Sequence, residues 1–168
     1  MLVNKELYVF SKGNPVSTYK IADITTSTDC LKKTTLSTLP RNEYLRYFHA
    51  CYWAVGGSIV LTGGESDGVH VQSAKTYMMA VQTNEWQQKS FPDLNKARHW
   101  HKSLGLGEQV YVTCGVDQND KMFSSCEMLR LGADLWEIID IPDLTPRVLP
   151  VFAQISPEKI CILGGMDE

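Results

Sequence analysis

Ser58-Ile59-Val60-Leu61-Thr62-Gly63-Gly64 is a short apolar run that ends on paired glycines. It recurs as Gln109-Val110-Tyr111-Val112-Thr113-Cys114-Gly115 and as Lys159-Ile160-Cys161-Ile162-Leu163-Gly164-Gly165. A worn copy, Leu7-Tyr8-Val9-Phe10-Ser11-Lys12-Gly13, stands near the start. The closing glycines fall at 13, 64, 115 and 165, in steps of 51, 51 and 50 residues. A fixed period of this length marks a repeat architecture, in which each copy is one supersecondary unit packed on its neighbours.

Working outward from the central copy, residues 46–55 read as a strand and Gly56-Gly57 as a tight turn into the Ser58 run. Residues 65–71 read as a polar loop, 74–81 as a third strand and 85–89 as a fourth, and Phe91-Pro92-Asp93-Leu94 closes the unit. The next unit follows the same course. Arg98-His99-Trp100-His101 is set against Arg46-Tyr47-Phe48-His49, with further strands at 110–113, 125–131 and 135–139. Ile141-Pro142-Asp143-Leu144 repeats the closing motif, and Arg147 opens another copy. The first unit is the least regular, with strands at 7–10 and 17–24 and then a loop and weak outer strand over 25–38. Each full unit is thus four short strands without a helix, which is the make-up of a propeller blade.

The chain has 168 residues, 43% of them hydrophobic, enough for a real core. Its net charge is −3 and no Lys/Arg block stands out, which argues against nucleic acid as a partner. No apolar run is long enough to span a membrane and the N-terminus lacks the apolar core of a signal peptide. Five cysteines, two of them (Cys114 and Cys161) inside apolar strands, suit reduced thiols in an intracellular protein.

The assembled motif resembles the kelch repeat: a double glycine after a hydrophobic strand, a spaced aromatic pair in the next two strands, and an Arg near the start of the following unit. Here these are Gly63-Gly64, Tyr77, Trp86 and Arg98, then Gly115, Trp136 and Arg147, with Met128 near the tyrosine position. Cys114 stands where the first glycine belongs, and the first unit keeps only Gly13 and Tyr19, with Cys30 near the Trp position. The resemblance implies an all-β, kelch-type β-propeller segment of about three four-stranded antiparallel blades. The expected division is an incomplete first blade over 1–45 (its strands 2–4), blades over 46–97 and 98–146, and the first two strands of a further blade over 147–168. Propellers close with about four to eight blades, so the expectation is a portion of a longer propeller chain or a partner in a composite, self-associated ring.

In kelch adaptors the arginines at this motif position face the channel mouth, so the resemblance implies that Arg46, Arg98 and Arg147 form a ring reading acidic peptides, to which a guanidinium is suited. The alternative is that each ties its blade to nearby carbonyls. The loops carrying Ser66, Asp67 and His70, and Asp117 and Asn119, are expected on the same face, either as binding loops or as ordinary solvated turns. His49, His99 and His101 lack the Cys/His spacing of a zinc site and read as packed histidines, so no metal or cofactor is expected. No GxSxG, HExxH, Walker or Rossmann motif is present. The expectation is therefore a non-enzymatic scaffold or adaptor with a protein partner, cytoplasmic and, by resemblance, in a cytoskeletal setting. The competing expectation is a propeller enzyme acting on a small molecule at the channel mouth.

Overall fold

The computed structural model describes residues 2–3, 6–10, 18–21, 34–35, 39, 45–66, 71–87 and 91–167. The strands, in chain order, are β1 (Leu2–Val3), β2 (Glu6–Phe10), β3 (Thr18–Ile21), β4 (Thr34–Thr35), β5 (Leu45–Arg46), β6 (His49–Trp53), β7 (Ser58–Thr62) and β8 (Glu65–Ser66). They continue as β9 (Thr76–Ala80), β10 (Glu85–Trp86), β11 (Lys102–Leu106), β12 (Gln109–Thr113), β13 (Cys126–Arg130), β14 (Glu137–Ile139), β15 (Val151–Ser156) and β16 (Lys159–Leu163). All pairings are antiparallel. The sheets run β1-β2-β3-β4, β6-β7-β9-β10 and β11-β12-β13-β14, followed by the pair β15-β16, and β5-β8 forms a small ribbon of its own. The first sheet includes β1, a two-residue strand too short for any sequence period to register. That unit therefore has four strands where three were expected.

The four-stranded sheets stack as blades. The innermost strands β6, β11 and β15 lie against one another in turn, and apolar layers fill the spaces further out. β7 is buried at every position, as a strand covered on both faces must be. Its Ile59 and Leu61 join Tyr8, Leu39, Tyr77, Met79 and Trp86 on one side. Val60 joins Trp53, Met78, Val110, Val112, Leu129 and Trp136 on the other. Trp86 in β10 and Trp136 just before β14 occupy the same place in successive units, where blades diverge from the axis and only a large side chain fills the gap. Trp136 is anchored by its Nε1–H to Pro92 O at 2.9 Å, and Trp53 by its Nε1–H to Gly107 O at 2.9 Å.

The second glycine of each pair is fixed by both conformation and room. Gly64, Gly115 and Gly165 have φ of 102°, 91° and 88°, and a Cβ on them would lie 2.8, 2.6 and 2.6 Å from the carbonyls of Arg46, His99 and Val148. The N–H groups of Gly64 and Gly115 then reach across to the next unit, to Arg98 O at 2.9 Å and Arg147 O at 3.0 Å. Cys114 takes the left-handed conformation itself, at φ 62°, a cost of about 1 kcal/mol for a residue with a Cβ.

These contacts also correct the alignment of the units. Arg46, His99 and Val148 share one place beneath the second glycine, and Tyr47, Trp100 and Leu149 share the next, at φ 55°, 55° and 51°. Arg98 and Arg147 are therefore equivalent to Leu45, and Arg46 lies one position further along. The cause is the inner hairpin, which spans residues 54–57 between β6 and β7 but only 107–108 between β11 and β12. Strand pairing likewise puts Glu127, opposite Val112, at the place of Tyr77, opposite Leu61; Met128 matches Met78 instead.

Candidate partner-binding face

One end of the blades gathers the approach to each inner strand and the loops after the double glycines. There β5 pairs with β8, bringing Arg46 opposite Glu65, with Arg46 Nη2 3.1 Å from Glu65 Oε1. The same cross-pair is His99 with Val116 in the next unit and Val148 with Met166 in the last. Its composition thus changes from charged to apolar around the arc.

Arg98 is a clamp, which corrects the expected arginine ring. Its side chain is fully buried. It donates to Cys114 O at 2.9 Å, to Ser125 O at 3.3 Å, to Ser125 Oγ at 3.3 Å, and to Glu127 Oε1 at 2.7 Å. Glu127, also fully buried, accepts as well from the Asn95 N–H at 2.6 Å, Asn95 Nδ2 at 3.1 Å and the Lys96 N–H at 3.1 Å. A buried charge pair is tolerable only when its remaining hydrogen-bonding capacity is met in this way. Arg147 repeats part of the pattern, donating to Thr145 O at 3.1 Å, Thr145 Oγ1 and Gly164 O at 2.8 Å. The three arginines thus stand in two different places, and Arg98 offers nothing to a partner.

The loops behave differently from one another. Ser66 donates its hydroxyl and its N–H to Val71 O. Asp117 accepts from the N–H groups of Asn119 and Lys121 at 2.8 and 3.0 Å, the bonds of an Asx turn. Asn119 itself is exposed. Asp67 and His70 lie outside the described residues. Between the loops, Gln72, Lys96, Ala97, Asp117, Gln118 and Phe123 border an open cleft of about 380 Å³. Lys96 Nζ lies 5.2 Å from the centre of the Phe123 ring.

What the sequence reading missed is an aromatic cluster beside this cleft. Tyr47 is half exposed. Its ring centre lies 5.9 Å from both His99 and Trp100, whose own rings are 4.6 Å apart, and the Arg46 guanidinium sits 5.6 Å from the Tyr47 ring. Gln72 Nε2 and His99 Nδ1 are 3.2 Å apart. Burial lowers the His99 pKa, opposed by Glu65 and Asp120. A positive φ on large residues is uncommon. Its recurrence at Tyr47, Trp100 and Leu149 marks their shared place, which no sequence pattern shows.

The other two described histidines, His49 and His101, pack between neighbouring blades. His49 Nδ1 accepts the Ser103 N–H at 2.9 Å and lies 2.7 Å from Ser103 Oγ, and His101 Nε2 lies 3.0 Å from Thr62 Oγ1. Burial, with Lys102 adding to it, holds the His49 imidazole down at about 4, and His101 is held well below its ordinary value mainly by burial. Both are neutral struts between neighbouring blades.

Against known proteins, the chain is 29% identical over 121 residues to alpha-scruin of Limulus polyphemus. It is also 29% identical over 117 residues to kelch repeat protein M-T8 of Myxoma virus (strain Lausanne). The repeats are similar to those of kelch-repeat proteins. The matches cover 71% and 68% of this chain but only 12% and 22% of those relatives, so the chain spans a small part of either. No protein-family model matches the chain.

Proposed function

We propose that this kelch segment is a non-enzymatic scaffold that binds a protein partner across the end carrying Tyr47, Trp100 and the loops after the double glycines. The observation that carries this reading is the repeated left-handed residue. In successive units it holds Tyr47, Trp100 and Leu149 at the approach to the inner strand, with Tyr47 and Leu149 about half exposed. Tyr and Trp on a rigid frame are the side chains that protein interfaces use most effectively. Lys96 beside the cleft gives an acidic segment a charge to meet, in place of the buried Arg98.

Similarity to kelch-repeat proteins supports a protein-binding role over catalysis. The enzyme alternative has less behind it: the cleft is open, and the Asp117 carboxylate is already engaged by backbone N–H groups. A cytoplasmic, cytoskeleton-associated setting belongs to the same reading. Among the described residues no helix is long and apolar enough to cross a membrane.

The test is site-specific photo-crosslinking in cells that make the protein, with the photoreactive residue at Tyr47, at Trp100 or at exposed Glu137 on the outer strand. One shared polypeptide adduct at Tyr47 and Trp100, absent at Glu137, is expected. Equal adducts at all three positions, or none at Tyr47 and Trp100, would reject this face.

A further inference from the structure

The spaces between the first three sheets are built from matching positions. Across the first, Tyr8 meets Ile59, Leu61, Met79 and Trp86. Across the second, Val60 meets their counterparts Val110, Val112, Leu129 and Trp136. Tyr8 and Val60 therefore hold one place, and they fill it differently. Tyr8 is fully buried, and its hydroxyl donates to Asn84 Oδ1 at 3.2 Å, in the turn between the third and fourth strands. Val60 has neither ring nor hydroxyl and stops short of the matching turn, residues 131–134.

A recess of about 390 Å³ lies there, bordered by residues of both sheets. Trp53, Met78 and Leu129 form its buried apolar wall, half-buried Phe91 flanks them, and Arg130 and Asp134 stand at the rim. Counted back from Trp86 and Trp136, Asp134 holds the turn position of Asn84. It is exposed, and no described residue bonds its carboxylate. An acceptor thus waits at the place where the preceding unit receives a phenol hydroxyl.

We propose that this recess binds a flat hydroxyaryl molecule of two rings. Its rings lie among Met78, Leu129 and Phe91, and its hydroxyl donates to Asp134 as Tyr8 donates to Asn84. A charged acceptor makes the stronger bond of the two. The volume falls in the range of small-molecule sites, about 300–1,000 Å³. It is more than one tyrosine ring fills, which favours a free molecule over a side chain of a polypeptide. The site lies by the hairpin turn at Gly56, at the opposite end of the blades from Tyr47 and Trp100, and stands independently of that face.

The probe is 2-naphthol, titrated into the 168-residue chain and followed by the chemical shifts of backbone amides and of the Trp53 indole. Saturable shifts confined to residues 53–58, 78 and 129–134 are expected. 2-Methoxynaphthalene keeps the rings but has no donor, and should bind about tenfold more weakly. On Asp134→Leu chain the two ligands should bind alike. Ala133→Trp, which fills the mouth of the recess, should take up neither while shifts away from the site stay in place. No saturable binding, shifts elsewhere, or equal binding of the two ligands to the unaltered chain would overturn the proposal. So would a preference for the naphthol that survives Asp134→Leu. N-acetyltyrosinamide binding as tightly as 2-naphthol would also overturn it, because the occupant would then be a tyrosine side chain.

Discussion

Replacing Arg98 by Met tests whether the repeated arginine holds the blade together or waits for a ligand. The guanidinium and the Glu127 carboxylate are both fully buried, 2.7 Å apart. With Arg98 gone, Glu127 keeps three N–H donors but no counter-charge, and the carbonyls of Cys114 and Ser125 lose a donor. Breaking a buried pair from one side costs about 3–5 kcal/mol, a large part of the roughly 5–15 kcal/mol that holds a domain folded. Glu127→Gln keeps an acceptor but strands the guanidinium, and about 3 kcal/mol is expected. Arg98→Met with Glu127→Leu removes both charges, so its cost should fall below the sum of the single losses by about 2 kcal/mol. Urea unfolding followed by tryptophan fluorescence gives these values, provided the slope stays constant across the variants. Single losses under about 1 kcal/mol, the size expected of a surface residue, would refute the clamp. So would strict additivity in the double variant.

Three further outcomes follow from the same geometry. Gly105→Ala should cost about 2 kcal/mol or more by overpacking, because its Cβ would lie 2.4 Å from Tyr52 O on the neighbouring inner strand; urea unfolding checks it. His49 stays neutral in the folded chain down to about 4 but protonates near 6.5 when unfolded. The unfolded state thus gains protons first as pH falls, and stability should drop by up to about 3 kcal/mol between pH 7.5 and 4, a slope that His49→Gln flattens. Burial pushes the Cys51 and Cys126 thiols up to about 12 and raises that of Cys114. Cys161 on half-open β16 should therefore react with maleimide well before those three, as peptide mapping would show.

The period and the strand content were legible because they rest on local rules. A strand buried on both faces reads as an unbroken apolar run, and a left-handed residue in close backbone contact reads as glycine. The carbonyl half of the clamp was the alternative reading of the arginines; the Glu127 half was not legible, since Arg98 meets a carboxylate 29 residues on. The arginine ring failed for a smaller reason: the longer hairpin at Ala54–Gly57 offsets the strand before it, and counting from the glycines alone hides the offset. The same offset concealed the equivalence of Tyr47 and Trp100. Only the φ values and the carbonyls beneath the second glycines reveal it.

Backbone hydrogen exchange along the 168-residue chain tests the central claim, stacked four-stranded blades followed by the pair β15-β16, in which β16 has no second neighbour among the described residues. Amides of β7 and β12 should exchange slowest. Those of β16 should divide, the inward ones protected by β15 and the outward ones exchanging orders of magnitude faster. Uniform slow exchange across β16 in dilute monomer would contradict the one-sided pairing of β16, and β12 exchanging as fast as β16 would contradict the blades themselves.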